Sequence, residues 1–177
     1  MTTTSLLFPE LAGAVLDPGR QYRYQLWRTW DPDRPVLCWI MLNPSTAVEV
    51  QDDPTVRRCV QWGRNLGFGG IVVVNLFAWR TSYPAELARV PDPVGSGNDA
   101  AILTAARTAG MVLCAWGNNG SLRGRSREVR VLLADAEIAC HALRVGKTGE
   151  PAHPLYLGYD LQPQVFVLEA KLERVRG

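Results

Sequence analysis

Three apolar runs in this chain each break off at a polar, turn-forming group, and that repetition restricts the fold more than any other feature. Val36-Leu37-Cys38-Trp39-Ile40-Met41-Leu42 meets Asn43-Pro44-Ser45-Thr46. Ile71-Val72-Val73-Val74 meets Asn75, and Met111-Val112-Leu113-Cys114-Ala115-Trp116 meets Gly117-Asn118-Asn119-Gly120. Unbroken apolar runs rich in β-branched residues suit strands buried on both faces of a parallel sheet. Ligands of open α/β sheets bind beyond the carboxyl ends of such strands. The polar groups at these ends therefore point to one shared site.

Between the runs lie helix signals. Asp53-Pro54 reads as an N-cap followed by proline at the first helical position. Val56, Cys59, Val60 and Gly63 then face inward, and the helix stops at Gly67 or Gly69-Gly70. Pro84 to Leu87 reads as a short helical turn. A second helix, capped by Asn98 or Asp99, runs to about Ala109, and a third follows the basic turn of residues 121–127 to about Glu137. Residues 140–145 read as a fourth core strand, and Val165-Phe166-Val167 as a last short one. Residues 21–30 (QYRYQLWRTW) alternate as a half-exposed antiparallel edge strand does. The expected architecture is a three-layer α/β/α domain over residues 21–177. Its sheet is central, mainly parallel and four-stranded, with an N-terminal edge strand, and a flexible arm over residues 1–20 precedes it.

The 177 residues suffice for one such domain. A net charge of only +2 supplies no global basic field, so nucleic-acid binding would need a local patch. No apolar run is long enough to span a bilayer and no signal peptide is visible, so a cytoplasmic protein without membrane partners is expected. Cys38, Cys59, Cys114 and Cys140 lack a Cys-x-x-Cys pair and read as reduced, buried small hydrophobes. No metal or organic cofactor is expected.

Asn43 carries a donor and an acceptor at a strand end, which suits either turn formation or the positioning of a water or an amide-like edge. Asn75 closes an Ile-Val-Val-Val strand, where an amide is costly without partners; it either bridges loops or pairs with the edge of a base. His153, fixed between Pro151 and Pro154 on a loop, is the principal candidate for proton transfer or for a hydrogen bond to developing negative charge. His141 reads as structural. Asp52 is the better general-base candidate, because capping accounts for Asp53. Gly117 and Asn118 supply a tight turn beside Trp116. Arg123 and Arg125, with Arg127 and Arg130, crowd a helix start and form either a phosphate site or a solvated face, and Lys147 joins the phosphate candidates. Neither GxxxxGK[ST] nor GxGxxG occurs. Phe77, Trp79, Trp116 and Tyr156 are candidate stacking platforms for a base.

Met41-Leu42-Asn43-Pro44-Ser45-Thr46-Ala47, Asp52-Asp53-Pro54-Thr55-Val56-Arg57-Arg58-Cys59, Ala115-Trp116-Gly117 and His153-Pro154-Leu155-Tyr156 together resemble a bacterial and phage domain family of unknown function, family 1643. A remoter likeness is to the uracil-DNA glycosylase superfamily. That superfamily has Asp-Pro or Asn-Pro after its first core strand, then a strand ending in a base-reading Asn, another ending in Trp-Gly, and a final His-Pro or Asn-Pro loop. Leu42-Asn43-Pro44, Gly70-Ile71-Val72-Val73-Val74-Asn75, Leu113-Cys114-Ala115-Trp116-Gly117 and His153-Pro154-Leu155 come in the same order here.

The resemblance implies that Asn43 holds the attacking water beside Pro44 and Ser45, that Asn75 reads the base, and that His153 stabilises the base as it leaves. Two departures bear on the substrate. Leu155-Tyr156-Leu157 stands where the superfamily has a Ser-Pro-rich continuation bearing its DNA-intercalating residue, and Ser45 stands where its better-known branches have Gly or Tyr. The expected partner is therefore single-stranded DNA, a modified base or a free nucleotide. Two alternatives keep the fold: a non-catalytic nucleic-acid or nucleotide binder, and a different small-molecule enzyme using the same pocket.

Overall fold

The computed structural model describes residues 11–46 and 51–168. The expected core strands are present as β3 (Val36–Met41), β4 (Gly70–Asn75), β5 (Met111–Cys114) and a short β6 (His141–Ala142). They run parallel in the order β4-β3-β5-β6. The chain thus reverses its direction of winding at β3, and the strand ends on either side of it open the crevice typical of such sheets.

The sheet is wider than the expected four strands. β1 (Leu11–Leu16) and β2 (Arg23–Thr29) extend it antiparallel beyond β4, and β7 (Gln164–Val165) extends it antiparallel beyond β6. Seven strands result, ordered β1-β2-β4-β3-β5-β6-β7. Residues 11–16 therefore belong to the sheet, although they read as part of a loose arm; residues 1–10 of that arm lie outside the described residues. The strand carries no clear alternation in the sequence because its middle, Ala12-Gly13-Ala14, is small. Gly13 lies where any Cβ would stand 2.3 Å from the Trp27 ring, so glycine is what lets Trp27 cross β1. The Asp17 carboxylate then accepts from the backbone N–H groups of Gly19 and Tyr22 and closes the turn into β2. With β1 alongside, β2 is interior rather than an edge.

Three helices cover the two faces: α1 (Pro54–Asn65), α2 (Asn98–Thr108) and α3 (Arg125–Asp135). Strand alternation divides the core between them. Leu37, Trp39, Met41, Ile71 and Val73 pack with Val56, Cys59 and Trp62 of α1. Cys38, Ile40, Val72 and Val74 pack with Ile102, Ala105, Val129 and Leu133 of α2 and α3. Each such apolar side chain contributes roughly 1.5–3 kcal/mol of burial. All four cysteines are buried and free. No helix among the described residues is long and apolar enough to cross a membrane.

The end of β4 is secured from the α2 side. Asn98, fully buried in the first turn of α2, donates through Nδ2 to the carbonyls of Asn75 (2.8 Å) and Leu76 (3.0 Å). Asn98→Ala should cost about 1–3 kcal/mol, because the Asn75 carbonyl would be left buried without that donor. Urea denaturation checks this, with the midpoint falling and the slope unchanged.

Candidate functional site

A cavity of about 620 Å³ opens at the carboxyl ends of β3, β4 and β5 on the α1 side of the sheet. Asn43, Asn75 and His153, which come from three separate loops and strand ends, all line it. Ser45, Trp116, Gly117 and Asn118 line it as well. Its size lies within the ~300–1,000 Å³ usual for small-molecule sites.

Each wall has a local cause. Asn43 Nδ2 donates to the carbonyls of Thr81 (2.8 Å) and Pro44 (3.1 Å). These bonds orient the amide and leave Oδ1 as its acceptor for a ligand or water. Pro44 itself is buried behind the wall, its carbonyl also accepting from Thr81 N–H (3.0 Å). Asn75 is 2% exposed and paired with Met41 in the β3–β4 register. Its Nδ2 has no hydrogen-bond partner among the described residues, a costly condition unless a ligand or water meets it.

The third wall is the loop after β6. Gly117 adopts φ 73, a left-handed conformation that glycine accommodates, and its N–H donates to Pro151 O (2.8 Å), joining the two loops. Glu150 fastens them to the body. It accepts from Trp116 Nε1, from Ser126 Oγ (2.7 Å) and from Arg130 (3.2 Å). His153 Nδ1 accepts from the Leu155 N–H (3.2 Å), so in the neutral ring the proton sits on Nε2, which is a donor. Burial holds His153 below the ordinary histidine value of 6.5, and the nearby Asp53 carboxylate pulls the other way.

Several predicted site residues serve elsewhere. Asp52 is ion-paired with Arg28 (2.8 Å) and does not line the cavity. Asp53 does line it. It caps α1 by accepting from Val56 N–H (2.8 Å) and takes the Ser45 hydroxyl on its other oxygen (2.7 Å). One carboxylate thus combines the expected capping role with the cavity position that the sequence had suggested for its neighbour. Phe77 is fully buried among α2-side core residues, which removes it as a stacking platform. Trp79 packs edge-on against Tyr22, and Tyr156 is exposed. Arg125 is buried, donating to Leu76 O (2.8 Å) and paired with Asp99 and Glu128. Arg123 donates to the carbonyls of Ala88 (3.1 Å) and Val90 (2.8 Å). Lys147 is exposed on its loop, and neither it nor these two arginines lines the cavity.

Thr81, Ser82 and Arg23 line the cavity without belonging to any motif of the sequence. Thr81 follows the Asn75 strand and supplies the carbonyl that orients Asn43. Arg23, on β2, is 4% exposed. A bulge hid it. Val15 pairs with Gln25 but Leu16 with Arg23, so one extra residue breaks the alternation and turns Arg23 inward. Cys59 also lines the cavity, but burial pushes its thiol well up and leaves it a poor nucleophile. No group of acidic, histidine or cysteine side chains able to hold a metal occurs among the described residues.

The chain belongs to the DUF1643 family of proteins of unknown function. The family match spans residues 23–155 and so takes in every wall of the cavity. No curated protein and no solved structure matches the chain.

The His153 environment gives a directional test. An NMR titration of this imidazole should find a midpoint below 6.5, and Asp53→Asn should lower it further by removing the opposing carboxylate. Because the folded value is depressed, the unfolded chain holds the extra proton between the two values. Stability from this group is therefore fully present above 6.5 and is lost as pH falls from there through the lower folded value. Asn caps a helix about as well as Asp, so Asp53→Asn should keep the thermal midpoint, whereas Asp53→Ala should cost about 1 kcal/mol.

Proposed function

We propose that this DUF1643 protein is a base-directed N-glycosylase-like hydrolase acting on DNA or a nucleotide. The observation that carries the reading is the convergence of Asn43, Asn75 and His153 on one cavity, where the buried Asn75 Nδ2 has no hydrogen-bond partner among the described residues. The proposal includes the likeness to the uracil-DNA glycosylase superfamily, whose four motif blocks occur in the same order along this chain.

In the proposed reaction Asn43 Oδ1 accepts from a water held above the strand end. Asn75 pairs with the base, its amide offering one donor and one acceptor to a base edge of opposite pattern. The water oxygen bonds to the anomeric carbon as the bond to the base nitrogen breaks, and the base leaves with that electron pair. The sugar becomes cation-like on the way, as in glycoside hydrolysis generally. Neutral His153 donates from Nε2 to the negative charge that grows on the base. Asp53, which lines the same cavity and is oriented by Ser45 and the first turn of α1, takes the proton released by the water in this scheme, in place of Asp52, which is ion-paired with Arg28. A base in duplex DNA must first leave the stack, so single-stranded or modified DNA, or a nucleotide, is the substrate class that this site suits best.

Purified protein incubated with single- and double-stranded oligonucleotides carrying uracil, mismatched or modified bases should generate abasic sites. Asn43→Ala and His153→Ala should each lower the rate about a hundredfold or more. Cleavage that survives both substitutions would reject the assignment. Salt-sensitive binding with no cleavage of any substrate would identify a non-catalytic binding module instead.

A further inference from the structure

Arg123, Arg125 and Arg130 are committed to carbonyls and carboxylates of the fold. Three arginines are buried among the described residues: Arg23, Arg28 and Arg125. Two are structural, Arg28 held by Asp52, and Arg125 by Asp99, Glu128 and the Leu76 carbonyl. Arg23 is the one of the three that lines the cavity.

Its position is built rather than incidental. In the regular part of β2, Leu26 and Arg28 are buried, and strict alternation would bring Tyr24 inward with them. The bulge opposite Val15 and Leu16 substitutes Arg23. Bulges commonly re-aim a side chain beside a functional site. The strand is then held in place by the Arg23 N–H donating to Ala78 O (2.9 Å). Burying a guanidinium is expensive unless anionic or carbonyl acceptors surround it. A guanidinium carries five donors in a planar fork, so bonds within the protein need not exhaust it.

Asn75 supplies the second observation. It lines the same cavity from the end of β4, the strand beside β2, and its buried Nδ2 has no hydrogen-bond partner among the described residues. Asn75 and Arg23 thus line one cavity from adjacent strands and bring an amide and a cation to it, which suits a ligand with a planar hydrogen-bonding group and an anionic group.

We infer that Arg23 is the anion subsite of this cavity and seats a phosphate belonging to the same ligand whose base meets Asn75. The inference rests on the base-directed reading for the second half of that statement only. A phosphomonoester of a free nucleotide and a phosphodiester of a single strand share the required chemistry.

Calorimetric binding of deoxynucleosides, their monophosphates, a short single-stranded oligonucleotide and inorganic phosphate would test this, on the full chain and on Arg23→Gln. Wild type should bind a phosphorylated ligand about tenfold or more tightly than the matching nucleoside, as expected for hydrogen bonds to a charged group. Arg23→Gln should erase that preference and leave nucleoside binding in place. A monophosphate as tight as the oligonucleotide points to the phosphomonoester, and tight binding of the oligonucleotide alone points to the backbone. A preference that persists in Arg23→Gln overturns the inference. So does a wild type that binds nucleosides without preferring phosphate, and that outcome leaves the base-directed reading standing. Arg23-dependent binding of inorganic phosphate, with no nucleoside or nucleotide bound, keeps the anion subsite and removes the base. If circular dichroism shows Arg23→Gln unfolded, Arg23→Lys takes its place: it keeps the charge and loses the fork, and an undiminished preference there overturns the inference.

Discussion

The point on which the site depends is the place where β4 leaves the sheet. Two successive carbonyls, of Asn75 and Leu76, are held there by Asn98 from α2, and the second also by Arg125 from α3. Backbone acceptors leaving a sheet need new partners, and burial makes the need acute. Here both helices of one face meet it with side chains, and Arg125 is itself neutralised by Asp99 and Glu128. The Asn75 backbone is thereby fixed from behind, while the residue lines the cavity on the opposite side of the sheet.

The other walls follow the same pattern, with a buried polar group behind and an open one in front. Glu150 gathers Trp116, Ser126 and Arg130, and so sets the loops that carry Gly117 and His153. Thr81 and Pro44 take both hydrogen-bonding directions of the Asn43 nitrogen and present its oxygen. The Leu155 N–H selects the histidine tautomer. A network of this kind is favourable only when its members are satisfied, so the cavity's shape is inherited from groups that never touch a ligand.

Much of this was legible in the chain. The strands β3, β4 and β5 were visible as apolar runs because both their faces are buried, and α1 was visible from Asp53-Pro54. Asn43, Asn75 and His153 stood out as polar residues ending those runs or lying between prolines, and the structure brings them together. The failures have physical reasons. β1 centres on the small residues Ala12-Gly13-Ala14, and its pairing depends on Gly13 yielding to Trp27, a contact with no periodic trace. Arg23 was concealed by a bulge, which breaks the alternation that pattern reading relies on. Asp52 and Asp53 are adjacent, and only the direction of the helix start separates the one that meets Arg28 from the one that meets the cavity. Arg123 and Arg125 looked like a surface patch because sequence does not reveal that the chain folds back to offer them carbonyls and carboxylates.

The β3–β4 register has a consequence for how such a chain can change over time. Ile71, Val73 and Asn75 share one face of β4, while Val72 and Val74 share the other. Because side chains alternate, adding or deleting one residue within β4 would turn the amide toward α2 and send core valines into the cavity. The loops on either side can lengthen or shorten with far less disturbance. Descendants of this chain are thus free to vary the length of what surrounds the cavity, while the distance from the start of β4 to Asn75 stays locked to the packing of both halves of the core.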